Sequence, residues 1–280
     1  MGDSNNWRQV WEDKSRKNVP DFELDRGISP RDREIEALSE QELINFIEPK
    51  QSDVVLDTGC GTGVNILRLH SKVRSVIGFD YAWGLVERCQ RRIRSNEIKN
   101  AHLCQASTTA IPMPNCSVDR ILCLSVMQYL SDEEFRQTLR EFVRVLAPGG
   151  ILILHVKNLS SLYWWTLRLA KRMKALLGRR PRIEYFRPFR WYVSELQGVN
   201  CHILDYNSFN VLTLEGMPKN LLSFFQRFEL KHHNGRLLRR AFLRRHGAEL
   251  KIKAEVVGSS PQRGDSVRAS GSAQRFAHTV

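Results

Sequence analysis

Two carboxylates bracket a run of three glycines in this chain, and that arrangement suits a cationic ligand that carries a ribose. Asp57 ends the apolar stretch Val54-Val55-Leu56 and is followed by Gly59-x-Gly61-x-Gly63; Asp80 ends the next apolar stretch, Ser75 to Phe79. Glycines at this spacing let main chain approach a ligand where a side chain would collide. An acid after the second strand can accept both ribose hydroxyls. The third glycine decides against a dinucleotide. Such a site wants Gly-x-Gly-x-x-Gly, so that pyrophosphate rests on a helix N-terminus. Here position 64 is Val, and the Asp57 carboxylate would repel a pyrophosphate. The same carboxylate favours a cation with a free amine.

Hydrophobic-Asp-x-Gly-x-Gly-x-Gly resembles the first motif of the class I S-adenosylmethionine (SAM) methyltransferases. That resemblance implies SAM as cofactor, with Asp57, Gly59, Gly61 and Gly63 around its methionine end and Asp80 on its ribose. Two further stretches match. Gln105 to Pro114 lies where the family has an acid, two or three residues, then Leu-Pro-Phe; Ser107 replaces the acid, followed by Thr108. The family's acid accepts from the adenine amine. A serine hydroxyl can do so more weakly, or can serve its own turn. Tyr81 either packs on the adenine or is a helix-start aromatic. Ser117 to Leu130, with Ser125 at its centre, matches the fourth-strand pattern of the small-molecule branch, similar to the quinone-biosynthesis methyltransferases. The resemblance covers residues 50–157 by motif and 198–257 by element order.

The elements that must position these residues follow from periodicity and punctuation. Strands are expected at 53–57, 75–79, 101–105, 118–124, 151–156, 198–206 and 249–257, alternating with helices over most of that length. Ser39 with Glu42 and Ser131 with Glu134 read as capping boxes. Residues 3–17 read as a helix with Trp7, Val10 and Trp11 on one face, and 18–38 as irregular. Apolar runs such as Ile121–Leu124 and Ile151–Leu154 suit strands buried on both faces. The expected fold is α/β: a Rossmann-like, seven-stranded, mostly parallel sheet with helices on both faces and an antiparallel final strand. The expected organisation is an N-terminal helical lid segment (1–48), a SAM-binding methyltransferase domain (49–257) with insertions at 158–197 and 207–248, and a disordered tail (258–280). Ligands of such sheets bind at the carboxyl ends of the strands, where Asp57, Asp80, Ser125 and His155 fall.

Methyl transfer from a sulfonium is an in-line displacement, so alignment is most of the catalysis. An oxygen acceptor also gains from a base. His155 titrates near neutrality and is the candidate base, the alternative being a histidine hydrogen-bonded at the sheet edge. Tyr129, Gln128, His202 and Asp205 are lesser candidates. After the fourth strand there is neither the Asn/Asp-Pro-Pro-aromatic run of adenine methylation nor the Pro-Cys of cytosine C5 methylation. The expected acceptor is a small molecule, sugar or lipid-linked compound methylated on oxygen. An RNA-modifying enzyme and a SAM-binding protein without catalysis stay open.

The chain has 280 residues and a formal charge of +13. Its six scattered cysteines contain no Cys-x-x-Cys pair, which argues against zinc and against a disulfide framework. No metal is expected. The start lacks a basic-then-apolar pattern, so no signal peptide is expected and the expected location is cytoplasmic. The surplus of positive charge lies mostly after residue 165. Residues 161–178 read as a basic amphipathic helix with Trp164 on its basic side. Three readings of that half stay open: a core-facing helix with a solvated basic face, peripheral contact with an anionic membrane at its inner surface, and, less favoured, nucleic-acid binding.

Overall fold

The structure is a computed structural model, and it describes residues 4–21, 24, 33–161, 164, 184–210, 217–232 and 243–257. The seven strands are β1 (Val54–Thr58), β2 (Ser75–Asp80), β3 (Ala101–Gln105), β4 (Val118–Leu124), β5 (Leu146–Lys157), β6 (Cys201–Phe209) and β7 (Glu249–Val256). They form one sheet in the order β3-β2-β1-β4-β5-β7-β6. Pairing is parallel from β3 through β5, and β7 runs antiparallel between β5 and β6. The order reverses between β1 and β4. Open α/β sheets bind ligands in the crevice above such a switch point.

The helices are α1 (Ser4–Ser15), α2 (Arg33–Ile47), α3 (Val64–Leu69), α4 (Trp83–Ser95), α5 (Asp132–Val145), α6 (Phe189–Gly198), α7 (Lys219–His232) and α8 (Leu243–His246). Consecutive strand residues go to opposite faces, and both faces are buried. Leu56, Ile121 and Leu152 pack with Phe135, Leu139 and Phe142 of α5 on one face. Val55, Leu122 and Ile153 pack with Phe46, Ile66 and Cys89 of α2, α3 and α4 on the other. Each large apolar side chain so buried contributes roughly 1.5–3 kcal/mol. This two-sided packing is why the strands read as unbroken apolar runs.

Ser131 caps α5 with the reciprocal Glu134 bond expected of it, a feature that stabilises a helix by about 1 kcal/mol. The other expected capping box is absent. Ser39 lies inside α2, which begins at Arg33. Glu42, buried, bonds the Lys251 ammonium instead of a helix end. The start of α2 also shortens the stretch expected to be irregular. Strand β6 begins three residues later than expected and continues to Phe209. Strand β5 is longer than expected because Leu146 pairs with Val118 before the Pro148-Gly149-Gly150 turn, where the register shifts. The basic stretch 165–183 and the tail 258–280 lie outside the described residues. Trp164, placed on the basic side of a helix by the sequence, is instead buried: its indole donates to the Ala248 carbonyl at 2.6 Å and its ring stacks on Phe186. Among the described residues no helix is long and apolar enough to cross a membrane.

Candidate active site

The glycine loop joins β1 to α3 and is fixed from both sides. The amides of Gly59 and Cys60 donate to the Phe79 carbonyl at 2.8 and 2.9 Å. Arg92 of α4 donates to the Thr62 carbonyl and hydroxyl at 3.0 and 2.7 Å. Gly59 and Gly63 hold positive φ of 68° and 86°. A Cβ on Gly59 would lie 2.4 Å from Val126 Cγ2, and one on Gly63 would lie 2.3 Å from Cys89 Sγ. The chain folds this tightly only because those positions lack side chains. Gly61, with φ 56°, lies between them.

Asp57 and Asp80 stand at the carboxyl ends of the adjacent strands β1 and β2, and both are buried. Asp80 takes the Gly61 amide on Oδ2 at 3.1 Å and the Ala82 amide on Oδ1 at 3.0 Å. A carboxylate oxygen can accept more than one hydrogen bond. Tyr81, half-buried, packs with Leu24, Ala82 and Leu85. Burial, then the charge of Asp80, pushes its phenol upward.

Ser107 and Thr108 already hold local partners. The Ser107 hydroxyl shares a 2.8 Å bond with Thr109 Oγ1 and accepts the Thr109 amide, closing its own turn. Thr108 is buried, and its hydroxyl bonds Thr138 of α5 at 3.0 Å.

Across the switch point, Ser125 follows β4 with φ 61°. A non-glycine residue there is uncommon. Its hydroxyl lies 3.0 Å from His155 Nδ1, and His155 Nε2 lies 3.1 Å from Glu249 Oε2. Lys157 donates to Glu249 Oε1 at 2.6 Å. Burial lowers the His155 pKa, an effect that Glu249 opposes and the Lys157 and Lys251 charges reinforce. Burial works to raise Glu249, but Lys157 first and then His155 hold it well below its ordinary value. The other base candidates divide. His202 and Asp205 lie exposed on β6, separated from β5 by β7. Gln128 and Tyr129 lie in the short 3-10 turn that follows Ser125.

That turn is clasped from two directions. Trp7 and Trp11 of α1 pack against Tyr129, one tilted and one edge-on, with ring centroids 4.4 and 5.9 Å away, and burial pushes the Tyr129 phenol up to about 12. From the other side Arg187 donates to the Met127 and Leu130 carbonyls and to Asp132, while the Tyr185 amide donates to the Gln128 carbonyl. Gln128 is buried; its amide nitrogen bonds the Ser125 carbonyl, and its Oε1 has no donor among the described residues.

Neither Glu249 nor the arginine anchors carry a local sequence signal. Glu249 meets His155 across 94 residues, through an antiparallel register that places Lys251 opposite His155. Arg88, one of several basic residues on α4, fastens the segment after α1 by donating to the Ser15, Val19 and Lys17 carbonyls and to Asp21. Only the tertiary fold distinguishes it from a solvated arginine. Among the described residues no group of three or more His, Cys, Asp or Glu is placed to hold a metal ion.

This loop, these acids and this strand order suit SAM: main chain lines the bend, and two buried carboxylates stand at the ends of neighbouring strands beside it. Residues 55–150 match the family described as a methyltransferase domain. A probable SAM-dependent methyltransferase of Mycolicibacterium smegmatis is 32% identical over 104 residues, covering 37% of this chain and 38% of that protein. The human probable tRNA methyltransferase 9B is 34% identical over 110 residues, covering 39% and 22%. The chain thus spans less than half the length of these curated relatives. Among solved structures, Haemonchus contortus phosphoethanolamine N-methyltransferase 1, in complex with phosphoethanolamine and S-adenosylhomocysteine, has a TM-score of 0.63 at 17% identity, covering 95% of this chain and 52% of that one. Geranyl diphosphate C-methyltransferase of Streptomyces coelicolor has a TM-score of 0.60 at 14% identity, covering 92% and 99%. Motif, strand order and the match over residues 55–150 identify a methyltransferase domain of the class I, SAM-dependent type within this chain.

Proposed function

We propose that this chain binds SAM and transfers its methyl group to a hydroxyl oxygen of a small-molecule, sugar or lipid-linked acceptor. The observation that carries the reading is the pair Asp57 and Asp80, buried at the ends of neighbouring strands around a bend made of main chain. Asp57 and the loop Gly59, Gly61, Gly63 would hold the methionine end, and Asp80 the ribose. Tyr81, the main chain at Ser107 and Thr108, and Ser125 would complete the site. SAM supplies a methyl group activated by a positively charged sulfur, so the protein mainly aligns the acceptor and removes a proton. His155 is the candidate base: burial favours its neutral form, and a neutral imidazole can take a proton. Residues 4–15 and 184–187, which grip the turn after β4, would cover the acceptor.

Calorimetry with S-adenosylhomocysteine tests the cofactor site. Conversion of SAM to S-adenosylhomocysteine in the presence of a small-molecule cell extract, with mass spectrometry for a product heavier by one methyl group, tests the reaction. An RNA fraction is the second arm, since relatives named as probable tRNA methyltransferases share the core. Methylation confined to that arm replaces the small-molecule reading. Absence of binding to both SAM and S-adenosylhomocysteine removes the proposal.

A further inference from the structure

Ser125, His155 and Glu249 form an unbroken hydrogen-bonded line at the carboxyl edge of the sheet, with contacts of 3.0 and 3.1 Å. Its chemistry has a direction. The Glu249 carboxylate, anchored on its other oxygen by Lys157, is anionic and only accepts hydrogen bonds. The ring nitrogen facing it, Nε2, therefore carries a proton. The charged groups around the ring are Glu249, Lys157 and Lys251, and burial keeps the ring neutral. Nδ1 is then the bare nitrogen, and the Ser125 hydroxyl donates to it. The serine oxygen is left electron-rich on its other side.

The position of Ser125 gives that oxygen something to act on. It follows β4, at the switch point beside β1, and its neighbour Val126 fills the space against Gly59. Ser125 holds a positive φ of 61°, a conformation uncommon outside glycine.

We propose that Ser125 is the catalytic residue that receives the acceptor's proton, with His155 and Glu249 acting through it as a one-way proton path. This rests on the methyl-transfer reading above. As the acceptor's O–H bond breaks and its O–CH3 bond forms, the proton passes to Ser125 Oγ and the serine's own proton passes to His155 Nδ1. The sulfur–methyl bond breaks with its electron pair left on sulfur, which departs as a neutral thioether. The imidazolium formed is paired with Glu249 and returns its proton to water after product release. His155 is thus a positioning and proton-storing residue behind the serine rather than a base in contact with the acceptor.

Two measurements test this. In the full chain labelled with 15N-histidine, with His155→Gln used for assignment, the His155 ring should show the neutral Nε2–H tautomer at pH 7, and Ser125→Ala should shift its Nδ1 resonance. An Nδ1–H tautomer or a charged ring at pH 7 overturns the path. Methyl transfer from SAM to a protein-free and RNA-free metabolite extract is then followed from pH 5.5 to 9. At saturating SAM, Ser125→Ala should slow it by at least about a hundredfold, the scale of a lost proton-transfer catalyst, a loss larger than any change in S-adenosylhomocysteine affinity. Glu249→Gln, which removes the charge that favours the imidazolium, should move the acid limb of the rate to lower pH. A Ser125→Ala enzyme equal to wild type in rate and pH profile overturns the path while methyl transfer stands. No turnover by wild type in any fraction removes the methyl-transfer reading and the path with it.

Discussion

Asp80 and Gly61 are joined by a 3.1 Å bond from the glycine amide to the carboxylate, so the acid and the loop proposed to hold one ligand also fix each other. The second carboxylate oxygen holds the Ala82 amide at the start of α4. One side chain thus sets the loop, the helix start and the proposed ribose contact. Hydrogen bonds to a charged group are worth about 1.5–3 kcal/mol each.

Asp80→Ala is therefore expected to weaken S-adenosylhomocysteine binding by at least about tenfold, the equivalent of 1.4 kcal/mol. Asp80→Asn keeps one acceptor oxygen and should fall between the two. Isothermal calorimetry reads both. An unchanged dissociation constant in Asp80→Ala would show that the acid serves only the fold.

Gly63→Ala should destabilise the protein for two reasons that can be separated. The new Cβ would sit 2.3 Å from Cys89 Sγ, at a φ of 86°. The strained backbone costs on the order of 1–3 kcal/mol and the overpacking a similar amount. Adding Cys89→Gly removes the thiol and should recover the packing part while leaving the backbone part. Denaturant unfolding of both single variants and the double variant measures the coupling. Strict additivity would place the clash elsewhere.

What the sequence made readable here was local. The loop, both acids and the Ser131 cap are short-range patterns, and the β-α alternation follows from apolar runs that burial on two faces demands. Features set by tertiary register were silent. Nothing near Ser39 betrays that α2 already runs through it, because Glu42 is held by Lys251 of β7 rather than by a helix end. Trp164 looked like part of a basic face because helical spacing takes no account of the Ala248 carbonyl that receives its indole N–H. Glu249 lay hidden because the antiparallel pairing of β5 with β7, rather than sequence distance, brings it to His155.

Arg120 and Asp53 illustrate a long-range pair that serves the fold. The guanidinium Nε lies 2.5 Å from Asp53 Oδ2, its Nη1 donates to the Ile47 carbonyl, and both side chains are buried. They tie β4 to the end of α2 and the start of β1, at the edge opposite the site. Removing one member of a buried pair leaves an uncompensated charge and costs about 3–5 kcal/mol. Arg120→Met should lower stability by that amount without altering S-adenosylhomocysteine affinity in the folded fraction. A loss below about 1 kcal/mol, the range of surface pairs, would show that water reaches the pair.

The line of Ser125, His155 and Glu249 also makes stability depend on pH, and the sign follows from the two shifts. His155 in the folded protein has a pKa below the ordinary 6.5 because burial disfavours its charged form. The unfolded chain takes up that proton first, so stability falls as pH drops from 6.5 toward the folded value. Glu249 has a folded pKa well below 4.5. Its contribution is complete above 4.5 and is lost as pH drops through the folded value. Both shifts weaken the protein in acid, in two successive windows. One proton of difference gives a slope of at most about 1.4 kcal/mol per pH unit. His155→Gln should remove the slope assigned to the upper window, below pH 6.5. Urea unfolding of wild type and variant at half-unit steps from pH 4.5 to 7.5 checks this. Parallel curves for the two proteins below pH 6.5 would mean that folding leaves the His155 pKa unchanged, and a wild type that gains on the variant as pH falls would mean that the folded ring holds its proton more tightly than the unfolded chain does.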